Sequence, residues 1–144
     1  MIKIFLAASL VFILSACGKT PPEEAIGKNM DELQLAIQEK DNGGVRGYLS
    51  SQFRGFGERG TQLDVNNVRQ YLAGIFLRYR NINVLISNTR IAVEEYDPFR
   101  ATSTSSVVVT GAEGLIPDTA RVYQVKGSWA LEDDEWKLLE VSWE

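Results

Sequence analysis

The hydrophobic period of this chain changes once, near Arg80, from helical to extended. Before Arg80, apolar residues recur every three or four positions, as they do along the buried stripe of an amphipathic helix. After Arg80 they alternate with polar residues, as they do on a half-buried strand. This order, helices first and strands afterwards, predicts an α+β domain in which N-terminal helices pack against one face of a four-stranded antiparallel sheet.

Helices are predicted on both sides of a glycine-rich centre. The apolar stripe of the first comprises Ile26, Met30, Leu33 and Ile37, and the run Asp41-Asn42-Gly43-Gly44 ends it. The stripe of the last comprises Val65, Val68, Leu72, Ile75 and Tyr79. Asp64 is the expected N-terminal cap of that last helix, because its carboxylate can accept unpaired amide hydrogens. Between the two, a short helix is expected at residues 45–50 and a loop, with at most a short edge strand, at residues 53–62.

Four strands are predicted after Arg80, connected as an antiparallel meander. They cover residues 82–96, 100–110, 121–131 and 136–143. The connections are Asp97-Pro98, a loop at 111–118 and the acidic turn at 132–135. Alternation is most regular in the third strand, whose apolar face comprises Tyr123, Val125, Gly127, Trp129 and Leu131. That face is predicted to be buried.

The first residues have the order of regions found in an export signal. Lys3 supplies a positive charge, and residues 5–16 are apolar or small. A membrane-spanning helix needs about 20 apolar residues, and the polar residues that start at Gly18 come too early for one. The run Leu14-Ser15-Ala16-Cys17 resembles the lipobox of bacterial lipoproteins, in which the cysteine is acylated and becomes the mature N-terminus.

The lipoprotein resemblance implies three segments: a signal peptide at 1–16, a lipid anchor and tether at 17–24, and a domain at 25–144. Cys17 is the one cysteine, so no disulfide can form within the chain. Two or more acyl chains, palmitate among them, hold a protein firmly at a membrane. No Asp follows directly after Cys17, which by the sorting pattern of such lipoproteins implies the outer membrane of a bacterial cell envelope, facing the periplasm.

The domain resembles the nuclear transport factor 2-like superfamily, a cone-shaped α+β fold that includes ketosteroid isomerases and polyketide cyclases. The resemblance implies N-terminal helices packed on a curved antiparallel sheet of four to six strands. The helix-breaker-helix opening, residues 35–41 followed by residues 45–53, carries one part of the match. The long helix before the sheet carries the second. The third is the closing hairpin, in which Trp129-Ala130-Leu131 and four acids precede Trp136-Lys137-Leu138-Leu139. The resemblance covers residues 25–144 and rests on apolar patterns.

Composition excludes several kinds of chemistry. Histidine is absent from the sequence, which removes histidine-activated nucleophiles, histidine bases and nearly all catalytic zinc sites. A net charge of −4 without a basic motif argues against nucleic acid as a partner. The sequence contains neither a phosphate-binding glycine loop nor the alternating acids of a calcium loop. No catalytic residue, metal site or cofactor is therefore predicted.

Ketosteroid isomerases use a tyrosine, a protonated acid and a carboxylate base. Aligned on Lys40-Asp41, the tyrosine, the base and the acid fall on Leu33, Gly57 and Gly127, so the resemblance does not carry this machinery over. Other carboxylates remain as alternative bases: Glu58 beside the base position, and Asp64, Glu94 and Glu95.

Tyr48, Tyr71, Tyr123 and Trp129 are the residues expected to line a pocket, should the cone be hollow. The leading hypothesis is a non-catalytic, lipid-anchored envelope protein that binds a small apolar ligand or a partner protein. The alternative is a small-molecule enzyme of isomerase, cyclase or hydrolase type that uses a carboxylate base. A third hypothesis is an assembly module that forms a homodimer through its open sheet face. A hollow cone, and the presence or absence of a carboxylate inside it, discriminates between the first two.

Overall fold

The computed structural model describes residues 18–113 and 119–144. The described helices are α1 (Pro22–Gln38), α2 (Asn42–Gly47) and α3 (Val68–Arg78). The strands are β1 (Leu49–Phe56), β2 (Gln62–Asp64), β3 (Tyr79–Val93), β4 (Arg100–Glu113), β5 (Thr119–Glu132) and β6 (Glu135–Trp143). A short 3₁₀ turn, Glu58–Gly60, joins β1 to β2. The predicted α+β architecture, with helices packed on one curved sheet of six strands, is confirmed.

The sheet has the order β2-β1-β6-β5-β4-β3. Strands β3 to β6 form the antiparallel meander that the alternating period predicted. Strand β1 joins the far side of β6, and this pairing is parallel, with Phe56 opposite Ser142. The last strand of the chain is therefore enclosed by two neighbours, and the start of the domain is linked to its end.

Two irregularities bend the long strands around the helices. The pairing of β3 with β4 shifts between Ser87 and Arg90, where Asn88 adopts a φ of 51°. The pairing of β5 with β6 shifts at Leu139, which has no partner opposite it. An extra residue in one strand of a pair increases the local twist and bends the strand. The sheet therefore curves, and its concave face points at α1 and α3.

Helix α1 covers the free edge of β3. The side-chain oxygen of Gln38 accepts the Val84 amide hydrogen at 3.0 Å, and that of Gln34 accepts the Ile86 amide hydrogen at 3.2 Å. Residues four apart on a helix share a face, and residues two apart on a strand share an edge, so the two bonds form together. The Lys40 ammonium donates to the Tyr79 carbonyl beyond them. These contacts give hydrogen-bond partners to backbone groups of β3 that would otherwise be open to pairing with other chains.

The centre of the fold lies where α1 crosses the sheet. Ile26 and Ala101 have no exposed surface, and Trp129 keeps 2% of its surface exposed. Phe53 and Leu138 complete this cluster from β1 and β6. Trp129 is thus buried, as the alternation of β5 predicted.

Two local predictions about the region before α3 were wrong. Helix α2 ends at Gly47, and residues expected as helix and loop form strand β1, because pairing with β6 outweighs their glycine-rich composition. Asp64 does not cap α3. It ends β2, and its Oδ1 accepts the amide hydrogens of Asn66 and Asn67 in the turn before the helix. Helix α3 consequently begins three residues later than Val65.

The predicted signal peptide and Cys17 lie outside the described residues, so the export signal and the lipid anchor stay predictions. Helix α1 already begins at Pro22, inside the segment 17–24 expected as tether. Within residues 18–113 and 119–144, no helix is long and apolar enough to cross a membrane.

Candidate ligand-binding cavity

The concave face of the sheet and the two longer helices enclose a cavity of about 410 Å³. Its walls come from every layer of the fold, with Leu33 from α1, Leu72 from α3, and Val84, Val107 and Val125 from successive strands. Small-molecule sites are concave, mostly apolar and about 300–1,000 Å³ in volume. The cone is therefore hollow, and its size and lining suit a small ligand.

Exposure along β5 gives the cavity a direction. The residues of β5 that line it are Arg121, Tyr123, Val125, Gly127 and Trp129. Arg121 is exposed, Tyr123 and Val125 are half-buried, and Gly127 and Trp129 are buried. We call the buried end, formed by Phe53, Trp129 and Leu138, the floor. We call the exposed end, formed by Tyr71, Tyr79, Arg121 and Tyr123, the mouth.

A buried hydrogen bond organises the floor. The Trp129 indole Nε1 donates to Ser103 Oγ at 2.9 Å, across the neighbouring strands β5 and β4. Gly127 makes room for this pair, because a Cβ at this position would lie 2.6 Å from Ser103 Oγ and 3.1 Å from Trp129 Nε1. A buried indole usually needs a partner for its N–H. The floor is therefore apolar, and the indole N–H that it contains already has a hydrogen-bond partner.

The mouth is lined by three phenol hydroxyls and one guanidinium, which carry O–H and N–H donors. Tyr71 comes from α3, Tyr79 from the first residue of β3, and Arg121 and Tyr123 from β5. Arg121 is the one charged side chain among the described residues that line the cavity. Its guanidinium is exposed, and the Tyr123 hydroxyl beside it raises the pKa of Arg121. Burial raises the pKa of Tyr71, and the neighbouring phenols of Tyr123 and Tyr79 add to the rise. Tyr71 and Arg121 are therefore both protonated at neutral pH.

The four residues expected to line a pocket divide between two places. Tyr71, Tyr123 and Trp129 line the cavity. Tyr48 does not; it lines a second, more polar pocket beside Trp136 and Lys137. The reason is that Tyr48 ends α2 where the pairing of β1 with β6 begins, and its carbonyl there accepts the Leu138 amide hydrogen at 2.8 Å.

Arg121 and Tyr79 are cavity residues that the sequence interpretation missed. Arg121 has the same parity along β5 as Tyr123 and Trp129, so extending the alternation by one step would have placed it on the same face. Tyr79 was assigned to the stripe of the last helix, and the structure places it one residue beyond α3, at the start of β3.

The expected alternative bases lie elsewhere. Glu58, Asp64, Glu94 and Glu95 are exposed and do not line the cavity. In the described part of the chain, no group of three or more acidic or cysteine side chains is placed to hold a metal ion.

The three positions aligned with isomerase residues are explained by packing. Leu33 contributes a wall of the cavity. Gly57 lies against the Trp143 indole, where a Cβ would approach ring atoms to 2.3 Å, so no side chain fits. At Gly127, Ser103 and Trp129 occupy the space that a side chain would need. None of the three positions therefore carries a side chain that could transfer a proton.

Comparison with known proteins supports the fold through structure alone. No protein-family model and no curated protein matches the sequence. A candidate scytalone dehydratase from Novosphingobium aromaticivorans matches with a TM-score of 0.78 and 15% identity, over 85% of this chain and 82% of that one. Hexachlorocyclohexane dehydrochlorinase type 3 from Novosphingobium barchaimii matches with a TM-score of 0.74 and 11% identity, over 85% of this chain and 84% of that one. A nuclear transport factor 2-like protein from Cytophaga hutchinsonii matches with a TM-score of 0.72 and 15% identity, over 86% of this chain and 98% of that one. The chain therefore has the nuclear transport factor 2-like fold, and at these identities the likeness extends to the fold alone.

Proposed function

We propose that this protein binds a small, largely apolar molecule in its cavity and does not transform it. The observation that carries the proposal is the cavity itself, about 410 Å³ of space between the Trp129 floor and a tyrosine-lined mouth. A well-packed interior leaves few voids larger than a water molecule. A hollow of this size in a domain this small costs packing energy, and a bound ligand recovers that energy.

The protonation state of the mouth supports binding over catalysis. A general base must be able to accept a proton near the working pH. The pKa values of Tyr71 and Arg121 are both raised, so neither group is a base at neutral pH. None of the four carboxylates considered as bases lines the cavity. The groups at the mouth can donate hydrogen bonds to a ligand and hold it, and this is the role proposed for them.

We further propose that lipid on Cys17, palmitate included, holds the domain at a bacterial envelope membrane, the outer membrane facing the periplasm. The support is the signal-like order of residues 1–16 and the cysteine that follows. Helix α1 begins at Pro22, so residues 18–21 would span about 12 Å if extended. The cavity would then lie close to the bilayer, within reach of molecules that leave it.

Binding can be tested with two tryptophan substitutions on the same strand. In fragment 18–144, Val125→Trp fills the cavity, whereas Val122→Trp adds the same ring to the outer face, where Val122 is 63% exposed. We expect the fluorescent probe N-phenyl-1-naphthylamine to bind the wild type and Val122→Trp saturably. Val125→Trp should lose at least about tenfold in affinity, the effect of about 1.4 kcal/mol. Equal binding by both variants contradicts the proposal, as does a wild type that does not bind.

The anchor is tested separately, by labelling growing cells with a radioactive fatty acid. Wild-type protein should carry label and sediment with membranes. Cys17→Ser should carry none and should accumulate as uncut precursor or soluble protein. Ser9→Ala, a change elsewhere in the predicted signal, is the control and should be labelled normally. Label retained on Cys17→Ser refutes the anchor and leaves the cavity proposal intact.

A further inference from the structure

The cavity has different chemistry at its two ends, and this difference bears on the class of ligand. Around the floor, Phe53, Trp129 and Leu138 offer apolar surface, and the indole N–H already has its partner in Ser103. At the mouth, Arg121 is the one charged side chain among the described lining residues. A purely apolar ligand would fill the floor and leave the guanidinium without a role.

The guanidinium of Arg121 stands beside a phenol at the mouth. Arg121 and Tyr123 lie two positions apart on the face of β5 that lines the cavity, and the nearby Tyr123 hydroxyl raises the pKa of Arg121. A guanidinium presents five N–H donors in a planar fork. Such a fork matches the two oxygens of a carboxylate and binds them through two parallel bonds. Tyr71 and Tyr79 add two phenol hydroxyls at the same end.

We infer that the ligand is an amphiphile with an aliphatic chain and a carboxylate head, its chain directed to the Trp129 floor and its head bound by Arg121 at the mouth. This inference rests on the proposed binding function and names the ligand class for the same cavity. Arg121 and Trp129 are eight positions apart on β5, a path of at most about 26 Å at ~3.3 Å per residue. That length accommodates a linear chain of fatty-acid type, held lengthwise along β5.

One protein carboxylate adds negative potential at the same cation. Glu58, in the turn after β1, is exposed to solvent and contributes to the raised pKa of Arg121. Water screens an interaction between exposed charges, which is worth little, so Glu58 does not prevent a ligand carboxylate from binding Arg121. Removing the Glu58 charge should strengthen binding of an anionic head and leave binding of a neutral head unchanged.

Three ligands with the same chain and different heads test the inference: decanoate, 1-decanol and decylammonium. The full chain is reconstituted in phosphatidylcholine vesicles at neutral pH, and each ligand is titrated against intrinsic tryptophan fluorescence. We expect decanoate to bind about tenfold more tightly than decanol, the effect of one hydrogen-bonded charge pair. Decylammonium should bind more weakly than decanol, because its charge has the same sign as Arg121.

Three variants locate the effect. Arg121→Gln should remove the advantage of decanoate and leave the affinity for decanol unchanged, which also shows that the variant is folded. Lys126→Gln removes the same charge from the opposite face of β5 and should change neither affinity. Glu58→Gln should tighten decanoate by about twofold, the scale of an exposed charge pair.

The outcomes separate the two proposals. If decanol binds and decanoate shows no advantage, or if Arg121→Gln leaves that advantage in place, the inference about the head is overturned and the cavity function stands. If none of the three ligands binds, the proposed function itself is overturned, and the inference falls with it.

Discussion

The floor and the mouth of the cavity share strand β5, yet they have opposite characters. At the floor, Trp129 is 2% exposed and its polar atom is paired inside the protein. At the mouth, Tyr71 is 37% exposed, and the hydroxyls and the guanidinium face space that a ligand could occupy. The floor stabilises the fold, whereas the mouth contributes little to stability and remains available for recognition. Substitutions at the floor should therefore change the free energy of unfolding, and substitutions at the mouth should change binding.

The largest effect is expected at Trp129. Trp129→Ala deletes a buried aromatic ring and should lower the free energy of unfolding by about 3–5 kcal/mol. Tyr71→Ala, at the mouth, is the matched control and should cost less than half as much, since the free energy scales with the apolar area buried. Urea melts of fragment 18–144, followed by circular dichroism, measure both. Equal losses would remove the distinction between floor and mouth.

A smaller change in the free energy of unfolding is expected when a glycine at the floor is replaced by alanine. A glycine in α3 supplies a control whose effect should have the opposite sign. Gly127→Ala brings a methyl group against Ser103 Oγ and the Trp129 indole, and this overpacking should cost about 1–3 kcal/mol. Gly74, in α3, has nothing within 4 Å of an added Cβ. Gly74→Ala should therefore stabilise the protein by about 0.5–1 kcal/mol, through helix propensity. A neutral Gly127→Ala would mean that the Ser103–Trp129 pair tolerates displacement.

The smallest effect is a pH dependence at the mouth. Burial, with Tyr123 and Tyr79 nearby, raises the pKa of Tyr71 above the value of 10.0 for a free phenol. The stability that this shift contributes is fully present below the unfolded-state pKa, and it is lost as pH rises through the folded-state pKa. Ultraviolet titration of phenolate absorbance should show one late-ionising tyrosine in the wild type. That component should be missing in Tyr71→Phe and present in Tyr96→Phe, whose tyrosine is 93% exposed.

Much of the fold could be predicted because its signals are local. The alternation from Tyr123 to Trp129 identified the inner face of β5, and the structure has those residues facing the cavity. Strand β1 was missed because Gly55 and Gly57 read as loop residues. In the structure both pack closely: a Cβ at Gly55 would touch Leu63 at 3.1 Å, and one at Gly57 would collide with Trp143. Their reason for being glycine lies in β2 and β6, far from β1 in sequence.

The candidate site was predictable only in part. Tyr71, Tyr123 and Trp129 were chosen as large side chains on buried faces, and they do line the cavity. The same reasoning selected Tyr48, whose place outside the cavity follows from where α2 ends. Arg121 was not predicted, because its sequence neighbours do not reveal a cavity.

The sequence by itself determined the helices before Arg80, the four-stranded meander after it, the buried face of β5 and the absence of histidine chemistry. Each of these depends on residues a few positions apart, or on composition. Only the tertiary structure decided that β1 lies parallel to β6, that the cone is hollow, and which of its ends is open. Tyr71, Tyr79 and Arg121 come from α3, β3 and β5. They meet at one mouth because the sheet curves around the helices, a result of pairing and packing between residues distant in the chain.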